Sequence, residues 1–198
     1  MRIRFILFLF LSLTATAAPI ILFSTFGPGN TFDETAYSLG GRYHNYSQAA
    51  AFTPAVSATL TQIDLPLEYV YASDARISLM TSVDGRPGVV LESFVITGIT
   101  ALPRIRTVMS VTHPLLTAGT EYWLAGSNTS GFDGRVGWNY SIGTSGMVAT
   151  KLDTAPWPDA TFRTLPAFDV LGEPVPEPAS LLMLASGLIA LAARRIRA

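Results

Sequence analysis

The side chains in this 198-residue sequence that could do acid–base, metal or stacking chemistry are two histidines, 14 acidic residues and three tryptophans. Their spacing assembles no paired catalytic motif. His44 and His113 each lack a second His at helix or hairpin distance, so no zinc triad forms, and both read as loop or strand-end residues. Gly143-Thr144-Ser145-Gly146-Met147 fails as a nucleophile elbow because Met147 stands where the last Gly is required. Gly27-Pro28-Gly29-Asn30-Thr31-Phe32 has Phe32 where a dinucleotide loop needs its third Gly. A glycosidase needs two facing carboxylates, and the acidic residues here are scattered. The reading is a protein that is not an enzyme, with no catalytic residue.

Binding chemistry is better represented. Asp74, Asp84, Asp133, Asp153 and Asp159 fall in or beside expected loops, where Ca²⁺ takes carboxylates and carbonyls. They form no alternating Asp/Asn run, so solvated carboxylates are expected, no resident cofactor or metal is assigned, and Ca²⁺ stays a minor alternative. Trp157, held between Pro156 and Pro158, could stack on a sugar ring or plug the end of the domain. Trp138 is the second candidate platform, and Tyr37, Tyr43 and Tyr46 make a similar cluster. Trp123 sits inside an apolar strand and is expected in the core. With no cysteine, a disulfide framework, a thiolate metal site and a thiol nucleophile are all excluded.

The elements that must carry these residues are strands. Val136, Trp138, Tyr140 and Ile142 alternate with Arg135, Gly137, Asn139 and Ser141, and Ile77, Leu79, Thr81 and Val83 alternate with Ser78, Met80 and Ser82, which is the period of a half-buried strand. Val89–Ile96 follows Asp84-Gly85-Arg86-Pro87-Gly88, a hairpin turn in which Pro87 and Gly88 are expected to reverse the chain. Further strands are expected over 49–53, 58–65, 105–112, 121–125, 147–152 and 168–171. Leu116-Thr117-Ala118-Gly119-Thr120 reads as a turn leading into Tyr122, Trp123 and Leu124. No long 3.6-residue pattern occurs between the two ends. The fold class is therefore all-β, an antiparallel sandwich of jelly-roll type over residues 24–172, with a closed barrel as the alternative architecture.

Charge separates that body from the chain ends. Arg2, Arg4, Arg194, Arg195 and Arg197 account for five of the 13 basic residues, leaving eight in the middle against all 14 acidic ones, a net of −6. Such a segment repels phosphates, which excludes a nucleic-acid partner. At the N-terminus, Arg2 and Arg4 precede an apolar run from Phe5 to Leu13. Ala15 and Ala17 then supply the small residues a signal peptidase needs, so residues 1–17 read as a signal peptide cut after Ala17. At the other end, Pro174, Pro176 and Pro178 form an extended stalk. Residues 179–193 form an uncharged run of 15 residues, and Arg194, Arg195 and Arg197 close the chain. As a helix that run is about 22 Å long against about 30 Å of hydrocarbon, short for a lasting anchor but closed by arginines that can snorkel to headgroups. The positive end favours the cytoplasmic side and puts the body outside.

Val175-Pro176-Glu177-Pro178-Ala179-Ser180, the apolar run and the closing arginines together resemble the PEP-CTERM sorting signal of exopolysaccharide-producing Gram-negative bacteria. The resemblance covers residues 173–198, with the transmembrane helix at 179–193. It implies an exosortase that recognises Val175, Pro176, Glu177 and Pro178 and removes the tail. It also implies a route from a transient inner-membrane anchor, with the domain periplasmic, to the cell surface or extracellular matrix. Exopolysaccharide is then a candidate partner, and a carbohydrate-binding module is the alternative function.

A second resemblance covers most of the body. Ala51-Phe52-Thr53-Pro54, Leu60-Thr61-Gln62-Ile63, Gly85-Arg86-Pro87-Gly88-Val89-Val90-Leu91-Glu92, Leu116 to Leu124 and Gly137-Trp138 occur in order. This is similar to the choice-of-anchor surface domains, type R in particular. It implies a β-rich exported domain and assigns no catalytic residue.

Overall fold

The computed structural model describes residues 18–72, 74–130 and 134–175. The expected signal peptide with Ala15 and Ala17, the strip from Pro176, the 179–193 run and Arg194, Arg195 and Arg197 lie outside the described residues, as does Asp133. Among the described residues there is no helix, and so none long and apolar enough to cross a membrane. The body is all-β: β1 (Ile20–Ser24), β2 (Ala36–Gly40), β3 (Tyr46–Phe52), β4 (Ala58–Tyr69), β5 (Ala75–Val83), β6 (Arg86–Ile96), β7 (Arg104–Met109), β8 (Leu115–Leu116), β9 (Tyr122–Asn128), β10 (Arg135–Leu152), β11 (Thr161–Pro166) and β12 (Asp169–Pro174).

All pairings are antiparallel and join into one sheet whose path runs β1-β12-β4-β10-β3-β9-β5-β6, with β2 and β11 added on β10 and β7 and β8 on β4. β10 is the hinge of this path. Its first part, around Val136–Trp138, pairs with β4 and β2, and its last part, Val148–Leu152, pairs with β3. Between them the ladder to β11 shifts register from Tyr140 to Ser145, and Gly143 takes a φ of 76°. The sequence pattern reads the two halves as separate strands because the alternation breaks there; the backbone bends and continues.

β4 shows how patterning survives an irregularity. Leu60, Ile63, Leu65 and Leu67 are all fully buried, although strict alternation cannot hold both 60 and 63 on one face. The ladder to β12 steps from Gln62↔Leu171 to Leu60↔Gly172, so β4 carries an extra residue at Thr61 and its apolar face is restored. These side chains join Leu39, Phe52, Ile77, Leu79, Leu124, Trp138 and Phe168 in one hydrophobic cluster. At its centre Phe168 stacks on Phe23 at 5.5 Å and meets Phe52 and Trp138 at 6.0 Å each.

The hairpin between β5 and β6 corrects one expectation. The reversal falls at Asp84 and Gly85, with φ of 52° and 70°, the two-residue turn whose twist matches the flanking strands. Pro87 and Gly88 already lie in β6. Gly88 is needed there for a close approach: a Cβ would meet Thr81 Oγ1 and Val83 Cγ2 at 2.7 Å each. The expected turn at 116–120 is present, with Thr120 N bonded to Thr117 O at 3.2 Å. β1, β8 and β11 carry no legible alternation, β11, for example, leaving its first four residues exposed, while β2 alternates over only five residues.

Candidate functional site

Strand alternation sends Tyr122 and Leu124 into the main cluster and Trp123 to the opposite face. Trp123 is wholly buried there, packed with Ala49, Met80, Ala125 and Ala149, and its indole N–H donates to Ser82 Oγ at 3.2 Å. The segment after β10 crosses this second cluster. Trp157 packs against it, half-buried, with the Lys151 ammonium 5.0 Å from its ring centroid. Arg86, at the β5–β6 hairpin, donates through Nε to Asp159 Oδ1 at 2.8 Å and fastens the far end of that segment. Trp157 and Lys151 thus border a small hollow of about 130 Å³ that also takes in Ser47, Ser78 and Ser127.

A larger hollow, about 520 Å³, opens where β2, β3, β10 and the segment after β4 meet. Ser38, Arg42, Tyr46, Tyr71 and Arg135 line it over a Gly40-Gly41 floor. Each wall has a local cause. The N–H groups of Val70, Tyr71 and Ala72 all point to Arg135 O, at 3.2, 2.9 and 3.1 Å, which holds Tyr71 beside Arg135 while leaving the residue 71% exposed. Asn128 Nδ2 donates to Gly134 O at 2.6 Å and fixes the start of β10. The 41–45 segment is held from the far side by Asp153, whose Oδ1 accepts from Asn45 N at 2.8 Å and whose Oδ2 lies 3.4 Å from His44 Nδ1. The Asn45 N–H, against a small opposing effect of burial, holds the Asp153 carboxyl below its usual range, with His44 adding to the shift.

Charge in this hollow is one-sided. Arg42 and Arg135 are exposed, and among the described residues neither forms an ion pair. The Arg42 guanidinium lies 5.6 Å from the centroid of the Tyr43 ring, itself 76% exposed. Glu68 is close enough to feel Arg135, but burial raises its carboxyl pKa more than that arginine lowers it.

Trp138 cannot serve as a platform. It is fully buried against Phe168, and its indole N–H donates to Ala167 O at 2.9 Å, so no ring face is open to a ligand. The alternation along β10 that made it legible is the pattern of a core strand. Tyr37 is also interior: its hydroxyl donates to Thr164 O at 2.7 Å, and burial, aided by Tyr140 and partly offset by Arg163, pushes its pKa up to about 12. Trp157 keeps partial exposure, Tyr46 lines the larger hollow, and Tyr43 is exposed outside its lining. Of the loop aspartates, Asp84 makes the hairpin turn, Asp153 braces Asn45, Asp159 pairs with Arg86, and Asp74 accepts from Gly98 N at 3.3 Å. Among the described residues no three His, Asp or Glu side chains gather as metal ligands. His113 is a loop residue with φ of 47° and its Nδ1 3.0 Å from Leu60 O. Sequence reasoning missed Arg42, Tyr71 and Arg135, which no spacing connects; only the converging strand ends bring them together.

The chain leaves the body without a spacer. Pro174 is still paired with Ala58, and Val175 N bonds to Ser57 O at 3.2 Å, one residue before Pro176-Glu177-Pro178. An all-β body running directly into a proline–glutamate strip, an apolar run and arginines defines an exported protein with a C-terminal processing signal. Residues 174–197 match the PEP-CTERM protein-sorting motif. That motif marks a protein sorted by an exosortase and transiently anchored in the membrane before processing. A search of the curated proteins finds no match to the chain.

Proposed function

We propose that this chain is a non-enzymatic protein of the cell surface or extracellular matrix. A signal peptide ending at Ala17 exports it, and an exosortase cuts its tail at Pro176-Glu177-Pro178. Its two groups of ladders, sharing β10 around one hydrophobic cluster, face each other as a jelly-roll-like sandwich of the choice-of-anchor kind. The observation that carries this reading is the sorting motif, which begins on β12 itself. The test is the intact mass of protein recovered from the host's envelope and medium. A species starting near Ala18 and ending near Pro176 to Pro178 supports both addresses; one that retains Arg197 makes the tail a plain anchor.

A second reading, a carbohydrate-binding module engaging the host's exopolysaccharide, is favoured by the larger hollow. β4 starts beside the tail, where Ala58 pairs with Pro174, and runs 12 residues to Tyr69, next to the hollow. At about 3.3 Å per residue this puts the hollow roughly 35 Å along β4 from Pro174, where the tail begins. The exposed Tyr71 and the half-buried Tyr46 there suit the C–H face of a sugar.

A further inference from the structure

We infer that the larger hollow takes a carboxylated glycan, a polymer of uronic acid residues, and that Arg42 and Arg135 select it over neutral sugar; this rests on the carbohydrate-binding reading. The argument starts from charge. The middle of the chain carries a net of −6, so an anionic polymer is repelled over most of the body. Inside the hollow the sign reverses, with two exposed guanidinium groups and no ion-pair partner for either among the described residues. Elsewhere the body does employ arginine as a brace, as Arg86 with Asp159 shows. Arg42 lies over the Tyr43 ring and Arg135 acts on Glu68 only from beyond ion-pair distance, so neither guanidinium fork is taken up by a carboxylate among the described residues.

A guanidinium presents a planar fork of donors that fits a carboxylate with two parallel bonds. Tyr71, 71% exposed, and Tyr46 add aromatic rings to the same hollow, and Ser38 adds a hydroxyl for a ring oxygen or hydroxyl. Alternating flat ring and carboxylate is the repeat of a uronic acid chain. A volume of about 520 Å³ has room for more than one such ring, and an open hollow suits a chain that passes through rather than a ligand enclosed on all sides.

The experiment is calorimetric titration of the full chain, kept in neutral detergent for its apolar tail, with hexamers of galacturonate and of mannuronate, their methyl esters, and a glutamate hexapeptide. Esterification keeps the ring and removes the charge. At least one free-acid hexamer is expected to bind at least about tenfold tighter than its ester, the size of one charge-assisted contact. Arg42→Gln and Arg135→Gln should each lower the free-acid affinity toward that of the ester and leave ester binding unchanged. Tyr71→Ala should weaken both. Equal binding of acid and ester, indifferent to the arginine variants, overturns the selectivity and leaves the carbohydrate reading standing. Binding of none of the sugars overturns both. A glutamate peptide that binds as well as the uronates overturns the sugar assignment, since the hollow would then read charge alone.

Discussion

Pro176, Glu177 and Pro178 are neighbours in the chain, whereas Ser38, Arg42, Tyr46, Tyr71 and Arg135 meet only because β2, β3, β4 and β10 bring their ends together. The first group can be recognised from its local sequence whether or not the body is folded. The second exists only in the folded state. The tail should therefore fail through local changes of sequence and tolerate damage to the body, while the hollow should fail through changes of packing far from it. The largest expected effect is on the tail: replacing Pro176-Glu177-Pro178 with three alanines should leave all of the protein full-length and membrane-retained, with the thermal midpoint of the body unmoved. Immunoblotting of membrane and medium fractions reads this directly, and unchanged release would end the exosortase assignment.

The body's counterpart is Trp138→Ala. Removing a wholly buried indole should cost about 3–5 kcal/mol, from lost transfer free energy and the cavity left behind. It should also abolish uronate binding, because β10 positions Arg135 three residues earlier. Denaturant midpoints measure the first effect. If the protein is still cut at the tail once destabilised, the two regions are independent; if cutting stops as well, the motif needs the folded sheet behind it.

The same contrast sets what the sequence could reveal. The tail was fully legible because its order, proline–glutamate strip, apolar run, arginines, is itself the signal. Strand type was legible from alternation in β5 and around Trp138, and the burial of Trp123 followed from its apolar strand. The bulge in β4 and the bend in β10 were not, since each inserts residues that break the period without leaving a compositional mark. Tryptophans drew attention because they are large, yet Trp138 was spent on the core and Trp157 on covering the second cluster. The exposed ring at the larger hollow is Tyr71, whose position depends on three N–H groups converging on the Arg135 carbonyl, and no linear pattern encodes that.

Glu92 offers a smaller effect that sharpens the comparison, since it lies within a run that is legible as a motif yet acts through tertiary contacts. Its carboxylate accepts from Ser110 Oγ at 2.6 Å, Val111 N at 2.6 Å and Thr112 N at 3.1 Å, tying β6 to the segment after β7. Burial pushes this carboxyl up, but the bonds from Ser110, Val111 and Thr112 together outweigh burial and hold it below the ordinary value of 4.5. A depressed folded pKa means that the stabilisation is present above 4.5 and is lost as pH falls through the lower folded value. Glu92→Gln should cost about 1–3 kcal/mol at neutral pH and flatten the acid limb of the stability curve. Urea midpoints at several pH values below neutrality test both, and sorting should not change.

Asp169, on the strand that leads into the tail, should show the opposite sign and the smallest effect. It is 4% exposed, its Oδ1 has no hydrogen-bond partner, and it sits directly across the ladder from Asp64. Burial raises its pKa above 3.8, the nearby Asp64 charge raises it further, and a bond from Ser24 opposes them. With the folded pKa raised, its contribution is most favourable below 3.8 and is lost as pH climbs through the folded value, so at neutral pH the charged form is a local cost. Asp169→Asn removes that charge and offers Asp64 a donor. It should stabilise the body by about 1 kcal/mol or less at pH 7 and have no advantage below pH 3. A gain that appears at neutral pH without faster or slower tail cutting would show that β12 holds the motif out for processing without governing it; a change in cutting rate would make the strength of β12 part of the signal.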